Sequence, residues 1–385
     1  MNSRLLVLGD ALELLIDNRG KNPPYEQAGI PVISGMSVRP GYLDLSEPRF
    51  ASKETWARWM PYPTQPNDVV LTSEAPLGRV ALIRTAEPLV IAQRVFCLRG
   101  RKGVLDSRFL YYALQTDAVQ GDLRGRATGT TVLGIRQPEL RKVLIPAPDY
   151  KEQLAIAEIL GAVDDKIAAN EYLITKADEL ASVKWTSACD NGSIAPLSSL
   201  ARFVNGKAFT KGASGTGRIV IRIAELNSGI GPSTVYNDIN VPDDHLAHPG
   251  DLLFAWSGSL TVARWFREEA IVNQHIFKVI PTGGYPTWLV NQALREKLQD
   301  FKSIAADKAT TMGHIQRRHL DELVTIPIPE QVDQLDRQMS TLWQTALSAE
   351  QENLQLESTR DQLLPLLMSG RVHMREAEKI VEEVV

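Results

Sequence analysis

The feature that most constrains the fold of this chain is an internal repeat with a shift of about 180 residues. Thr130-Thr131-Val132-Leu133-Gly134-Ile135 leads through Leu140 and Val143 to Ile145-Pro146-Ala147-Pro148. Thr310-Thr311-Met312-Gly313-His314-Ile315 leads through Leu320 and Leu323 to Ile326-Pro327-Ile328-Pro329. Gln153-Leu154 then matches Gln334-Leu335. Upstream, Asp68-Val69-Val70-Leu71 resembles Asp251-Leu252-Leu253-Phe254, Gln93-Arg94-Val95-Phe96 resembles Gln274-His275-Ile276-Phe277, and Ala113-Leu114 matches Ala293-Leu294. The common order and near-constant shift set these matches apart from chance. The period far exceeds the roughly 20–50 residues of a solenoid unit, so it means a duplicated domain.

Each repeat has two parts. The first is rich in Gly, Pro and short β-branched runs such as Val69–Leu71, Val80–Ile83 and Val95–Leu98, which predict short strands in a mixed sheet. The second predicts one helix of about 35 residues. Pro148 and Pro329 stand just before the two helical patterns. Apolar positions then step by four and three: Ile156, Leu160, Val163, Ile167, Asn170, Ile174, Ala177 and Ala181 in the first copy. In the second they run Leu335, Met339, Leu342, Ala346, Ala349, Asn353, Leu356, Arg360, Leu363 and Leu367. This is a coiled-coil period, and so long a stripe needs a partner helix. An antiparallel register whose residue numbers sum to 523 faces Ile156 with Leu367, Leu160 with Leu363, Ile167 with Leu356 and Ile174 with Ala349. It also sets Asn170 against Asn353, a polar seam pair that trades stability for register. The alternative is that each Asn meets solvent or another subunit.

The 385 residues are 44% hydrophobic and 23% charged, which excludes wholesale disorder. The formal net charge of -4, taken alone, argues against a nucleic-acid binder. It conceals a partition. Residues 1–148 hold 19 basic and 14 acidic side chains, and 191–329 hold 14 and 12. Residues 149–190 hold 4 and 9, and 330–385 hold 5 and 11. The acidity belongs to the helices and the tail, while both globules are positive. Cys97 and Cys189 make no metal or redox spacing and suggest a reducing, cytoplasmic setting. No apolar run approaches the ~20 residues of a membrane span. The apolar start Leu5–Leu8 is cut short by Asp10, a poor secretory leader.

Ile145-Pro146-Ala147-Pro148, Glu152-Gln153, Ile156-Ala157-Glu158-Ile159-Leu160, Asp164-Asp165-Lys166-Ile167 and Asn170 together resemble the central spacer of type I restriction-modification specificity subunits. Leu363-Leu364-Pro365-Leu366-Leu367-Met368-Ser369-Gly370-Arg371-Val372 is similar to that family's C-terminal spacer ending. Asp17-Asn18-Arg19-Gly20-Lys21-Asn22 and Asn205-Gly206-Lys207-Ala208-Phe209 resemble the openings of its two target-recognition domains. The resemblance implies an α+β fold: two mixed α/β target-recognition domains related by a pseudo-twofold and joined by a long antiparallel coiled-coil helix pair. The implied boundaries are 1–148 and 191–329 for the recognition domains, 149–190 and 330–372 for the helical spacers, and 373–385 for an acidic tail. That tail lies outside the family pattern and reads as a short solvated helix or a frayed end. The resemblance further implies a non-catalytic subunit in which each recognition domain reads half of a split site on double-stranded DNA. The helices would dock two modification (methyltransferase) subunits, which would carry S-adenosylmethionine, and two motor-nuclease subunits could join. Glu330-Gln331 follows Pro329 at once, whereas Glu152-Gln153 comes four residues after Pro148, a departure from the pattern.

DNA contacts divide into phosphate positioning and base-edge readout. Candidates for the first precede each spacer: Arg124, Arg126, Thr128, Thr130, Thr131 and Arg136, then Lys302, Lys308, Thr310, Thr311, His314, Gln316, Arg317 and Arg318. Gly admits backbone N–H groups to a phosphate, Thr donates to it and Arg supplies a fork. The alternative is that Thr-Thr caps a helix and the charges are merely solvated. Candidates for base readout are Asn18, Arg19, Lys21 and Asn22, then Lys207, Lys211 and Trp256-Ser257, against ordinary turn chemistry.

Other signals point elsewhere. Asn22-Pro23-Pro24-Tyr25 matches the tetrapeptide of amino-methyltransferases, the basis for a rival reading as a stand-alone adenine methyltransferase. It follows a polar run and lacks a companion glycine-rich cofactor loop, so a turn is the better reading. A coiled-coil scaffold that never touches DNA is the third reading. Gly212–Gly217 lacks the Lys-Ser/Thr of a phosphate loop. His245 and His248 lack a convincing ligand frame for zinc.

Overall fold

The structure is a computed structural model that describes residues 4–18, 20–307 and 313–385. The chain divides into two compact units, Met1–Lys166 with Leu356–Val385, and Ile167–Gln355. The linear division expected from the sequence treats the helices as separate spacers. Here each long helix gives one end to each unit, because each globule buries side chains of both helices.

The first unit carries a four-stranded antiparallel sheet in the order Leu12–Asp17, Val95–Gly100, Val69–Thr72, Val80–Leu82. A smaller sheet orders Arg49–Ala51, Ile30–Ile33 and Val90–Ile91, the last pair parallel. Arg4–Val7 pairs with Leu144–Ala147 and ties the chain start to the segment entering the helix. Val69, Val70 and Leu71 are wholly buried, which explains an apolar run without alternation. Asp68 starts that strand as a buried carboxylate held by Arg99 Nε and Nη2 at 2.7 and 2.8 Å. Burial pushes the neighbouring Cys97 thiol far above its ordinary value.

The second unit repeats this plan. Its four-stranded antiparallel sheet orders Ala201–Asn205, Ile276–Pro281, Leu252–Ala255 and Thr261–Arg264. A second sheet orders Val235–Asn237, Arg218–Ile221, Ala270–Val272 and Leu246–Ala247. Ser193–Pro196 pairs with Leu323–Ile326, as Arg4–Val7 does with Leu144–Ala147. The registers agree as well: Leu71 faces Phe96, and Phe254 faces Phe277. Even the left-handed backbone positions recur in pairs, Asn67 with Gly250, Ala75 with Gly258, and Arg94 with His275.

The long helices span Tyr150–Cys189 and Pro329–Ser369, 40 and 41 residues and so about 60 Å each. They outrun the expected heptads because their outer turns pack on globular cores; Trp185 and Met339 belong to the core of the second unit. In that unit Asn170 Nδ2 donates to Asn353 Oδ1 at 2.9 Å and to Glu352 Oε2 at 2.8 Å. Lys184 Nζ donates to Gln338 at 2.8 Å, so the two segments run antiparallel in the register summing close to 523. In the first unit Ile156, Leu160, Leu356, Leu363 and Leu367 are buried. Ile167 is buried in the second unit and Ile174 only partly, because it lines a cleft.

Buried polar contacts fix globule to helix in each unit. In the first, Tyr112 OH donates to Asp164 Oδ2 at 2.7 Å, and Arg360 Nη1 reaches Asp164 Oδ1 at 3.0 Å. In the second, Arg264 forks onto Glu350 at 2.8 and 3.1 Å with its guanidinium over the Trp343 ring. Burial raises the Glu350 carboxyl above its ordinary value, against the pull of Arg264. The second long helix ends at Gly370, whose φ of 69° suits the left-handed stop after Ser369. Beyond it the tail is neither frayed nor fully solvated: Met374–Glu382 is a helix that buries Ala377 and Val381, four residues apart on one face. Among the described residues no helix is long and apolar enough to cross a membrane.

Candidate nucleic-acid interface

In the first unit the candidate site is a loop hung from a strand end. Thr128 and Gly134 exchange backbone hydrogen bonds at 2.9 and 3.0 Å and close the loop 129–133. Ile135 N donates to Ser73 O at 2.9 Å, which fastens the loop just past the strand Val69–Thr72. Gly129 takes φ +124°, and a Cβ there would collide with the Val132 carbonyl, so the loop needs this glycine. Thr130 and Thr131 are exposed at its tip, beside exposed Val132 and Leu133. They cap no helix, since the next one, Gln137–Leu140, has Arg136 at its N-cap.

The cations around this loop are unequal. Arg124 and Arg136 are exposed and hold no carboxylate among the described residues. Arg126 is tied to Asp122 at 2.8 Å and Glu139 at 3.9 Å, so its charge is partly spent. Lys21 is exposed, and no hydrogen bond or ion pair joins it to the loop among the described residues. Asn18 turns inward and donates to Ile91 O at 3.0 Å, which commits it to the fold. Arg19 lies outside the described residues. Asn22 and Tyr25 are exposed and bond each other at 3.1 Å, turn geometry for the Asn-Pro-Pro-Tyr motif.

The second unit builds the corresponding place from aromatic groups. Ile315 N donates to Trp256 O at 3.1 Å, the counterpart of Ile135 on Ser73, and Gly258 N donates to Gly313 O at 2.8 Å. The Trp256 ring lies 5.2 Å from His275 and 6.2 Å from His314, and its Nε1 donates to Asn205 Oδ1 at 2.8 Å. Lys207 is exposed two residues on, with its carbonyl accepting from Gln274 N at 2.9 Å. The intervening Gly206 has no alternative, because a Cβ would overlap the Asn273 carbonyl. Asn205, Trp256, His275 and His314 are thus one cluster, with Lys207 two residues along the chain from Asn205. Gln316, Arg317 and Arg318 are exposed at the start of the short turn Arg317–Asp321. Lys302 is exposed on the helix Thr287–Asp307, and Lys211 is exposed on its loop. Lys308, Thr310 and Thr311 lie outside the described residues.

Sequence reasoning missed Arg94, Glu74, His275 and Asn205 as members of these sites. Arg94 and Glu74 form a 3.2 Å ion pair at the base of the first loop. Such a half-exposed pair contributes about 0–1 kcal/mol, too little to explain a left-handed arginine. The matching runs Gln93-Arg94 and Gln274-His275 were the available signal. Among the described residues no group of three His, Cys, Asp or Glu converges as metal ligands.

Residues 21–178 match the family model described as type I restriction modification DNA specificity domain. Two curated relatives from Methanocaldococcus jannaschii, the type I restriction enzyme MjaIX and MjaVIII specificity subunits, are each 34% identical, over 99 and 107 residues. Each match covers 26% of this chain and spans only 22% and 25% of the relatives' own lengths. The crystal structure of the type I restriction-modification system S subunit from M. genitalium has a TM-score of 0.59 at 16% identity. It covers 95% of this chain and 96% of that one, so the fold is shared throughout.

Proposed function

We propose that this chain is a type I restriction-modification specificity subunit that gives its complex its DNA sequence, each globule reading one half of a split site. The observation that carries this reading is the recurrence of one construction in both units: a segment rich in exposed polar and cationic groups, fastened by an isoleucine N–H to a strand-end carbonyl. Exposed Arg124, Arg136 and Lys207 would neutralise phosphates, which makes affinity steeply salt-dependent. The chain would itself catalyse nothing. Partner modification subunits would hold S-adenosylmethionine and flip the target adenine, and motor-nuclease subunits would join the same complex. The acidic helices, with 9 acidic against 4 basic residues over 149–190, would face protein partners rather than DNA.

The test is a footprint of the chain assembled with its methyltransferase subunits. Two protected patches separated by a gap support the reading; no protection would favour the scaffold. Methyl transfer by the purified chain alone would favour the Asn-Pro-Pro-Tyr enzyme.

A further inference from the structure

We infer that Arg94 and His275 are equivalent specificity-determining residues, one per unit, that read base edges. The inference rests on the DNA-reading function above and deepens it by naming the position. Their equivalence is structural. Arg94 O accepts from Ser73 N at 2.9 Å, and His275 O accepts from Trp256 N at 3.1 Å. Ser73 O and Trp256 O in turn accept from Ile135 N and Ile315 N at 2.9 and 3.1 Å. Each residue is therefore linked through two backbone hydrogen bonds to the isoleucine that fastens its unit's candidate segment.

Both are held where an L residue is strained, at φ 64° and 74°. Two other paired left-handed positions carry glycine in the second copy: Asn67 opposite Gly250, and Ala75 opposite Gly258. Only this position keeps a long polar side chain in both copies, where glycine would relieve the backbone. The fold gives little return for it. The Arg94 side chain is 54% exposed, and its one ion pair among the described residues is to the exposed carboxylate of Glu74. His275 Nδ1 is buried without a hydrogen-bond partner. Strain retained in both copies without a structural return points to a ligand. The chemistry fits a base pair: a guanidinium fork matches guanine O6 and N7, and a carboxylate accepts from cytosine N4, so Arg94 with Glu74 complements G·C. His275 lies beside the Trp256 ring with its Nδ1 buried, which leaves Nε2 as the single donor or acceptor for a purine edge.

The experiment uses the chain assembled with its methyltransferase subunits and a DNA library randomised in each half-site. Arg94→Gly should leave the melting temperature equal or higher, yet relax preference at one position of one half-site by on the order of tenfold to a hundredfold. Arg94→Lys should fail in the same way, because it keeps the charge and loses the fork. His275→Gly should relax the other half-site only. Uniform weakening across all sequences would make Arg94 a phosphate contact and overturn the inference, as would unchanged preference in both glycine variants. If the wild-type assembly protects no DNA, the functional reading fails and this inference with it; if it protects DNA and the variants keep their preferences, this inference alone fails.

Discussion

Asn170 and Asn353 occupy seam positions where a coiled coil usually buries leucine. Asn170→Ala would strand the partner amide, so we expect a loss of about 1–3 kcal/mol in urea unfolding. The double change Asn170→Leu with Asn353→Leu should return to wild-type stability or exceed it. An unaffected alanine variant would mean that the 2.9 Å bond holds nothing. Arg264 is a harsher case, since its side chain is 2% exposed and forks onto a partly buried carboxylate. Arg264→Met should cost about 3–5 kcal/mol by leaving Glu350 unpaired, and pairing it with Glu350→Met should recover most of that. Burial pushes Cys97 well above its ordinary value, and Cys189 is pushed up to about 12, first by burial and then by Glu296 and Asp190. Neither thiol should react with a disulfide reagent at pH 8 until the chain unfolds; rapid labelling of native protein would contradict this. The asparagine pair was legible in the sequence because heptad stepping fixes which residues share a seam. Arg264 was not, because its carboxylate partner lies 86 residues away. Arg94 was visible as a repeated position, but its left-handed backbone leaves no mark in residue type.

At the scale of elements, period made the long helices readable and brevity hid the tail. Nine residues of mixed charge put Met374, Ala377, Ile380 and Val381 on one apolar face, too short a stretch for the sequence to separate docking from fraying. Val381→Asp puts a charge at that buried position and should cost about 1–3 kcal/mol, read as a lower unfolding midpoint. The same change at exposed Val385 should be silent, and equal effects at both positions would return the tail to solvent. The strands were legible because Val69–Leu71, Val80–Ile83 and Val95–Leu98 are apolar runs bounded by turns. The Thr130-Thr131 loop was not, since two threonines before a short apolar stretch suit a helix cap equally well. Its glycine decides the matter. Gly129→Ala should distort the loop with little change in melting temperature, and weaken only the half-site read by the first unit.

At the scale of the whole chain, duplication would make the proposed recognition modular, and the contacts within the first unit say what modularity requires. Replacing residues 1–148 with those of a relative should change one half of the recognised sequence and leave the other. The exchange severs no long helix, but it removes Tyr112 from Asp164, Arg84 from Asp165 and the Asp106 backbone from Gln153, bonds of 2.7, 2.7 and 3.0 Å. Asp164 is buried, so a donor without a hydroxyl at position 112 leaves its carboxylate to Arg360 alone. Such a hybrid should lose stability by about 1–3 kcal/mol even where its recognition domain is sound. Hybrids that restore the hydroxyl should regain it without a change in target sequence. Stability and specificity would then separate cleanly across a hybrid series, as expected if reading belongs to the loops and strand ends while attachment belongs to Tyr112, Asp164 and Arg360. A change in both half-sites from one exchange would end the modular account.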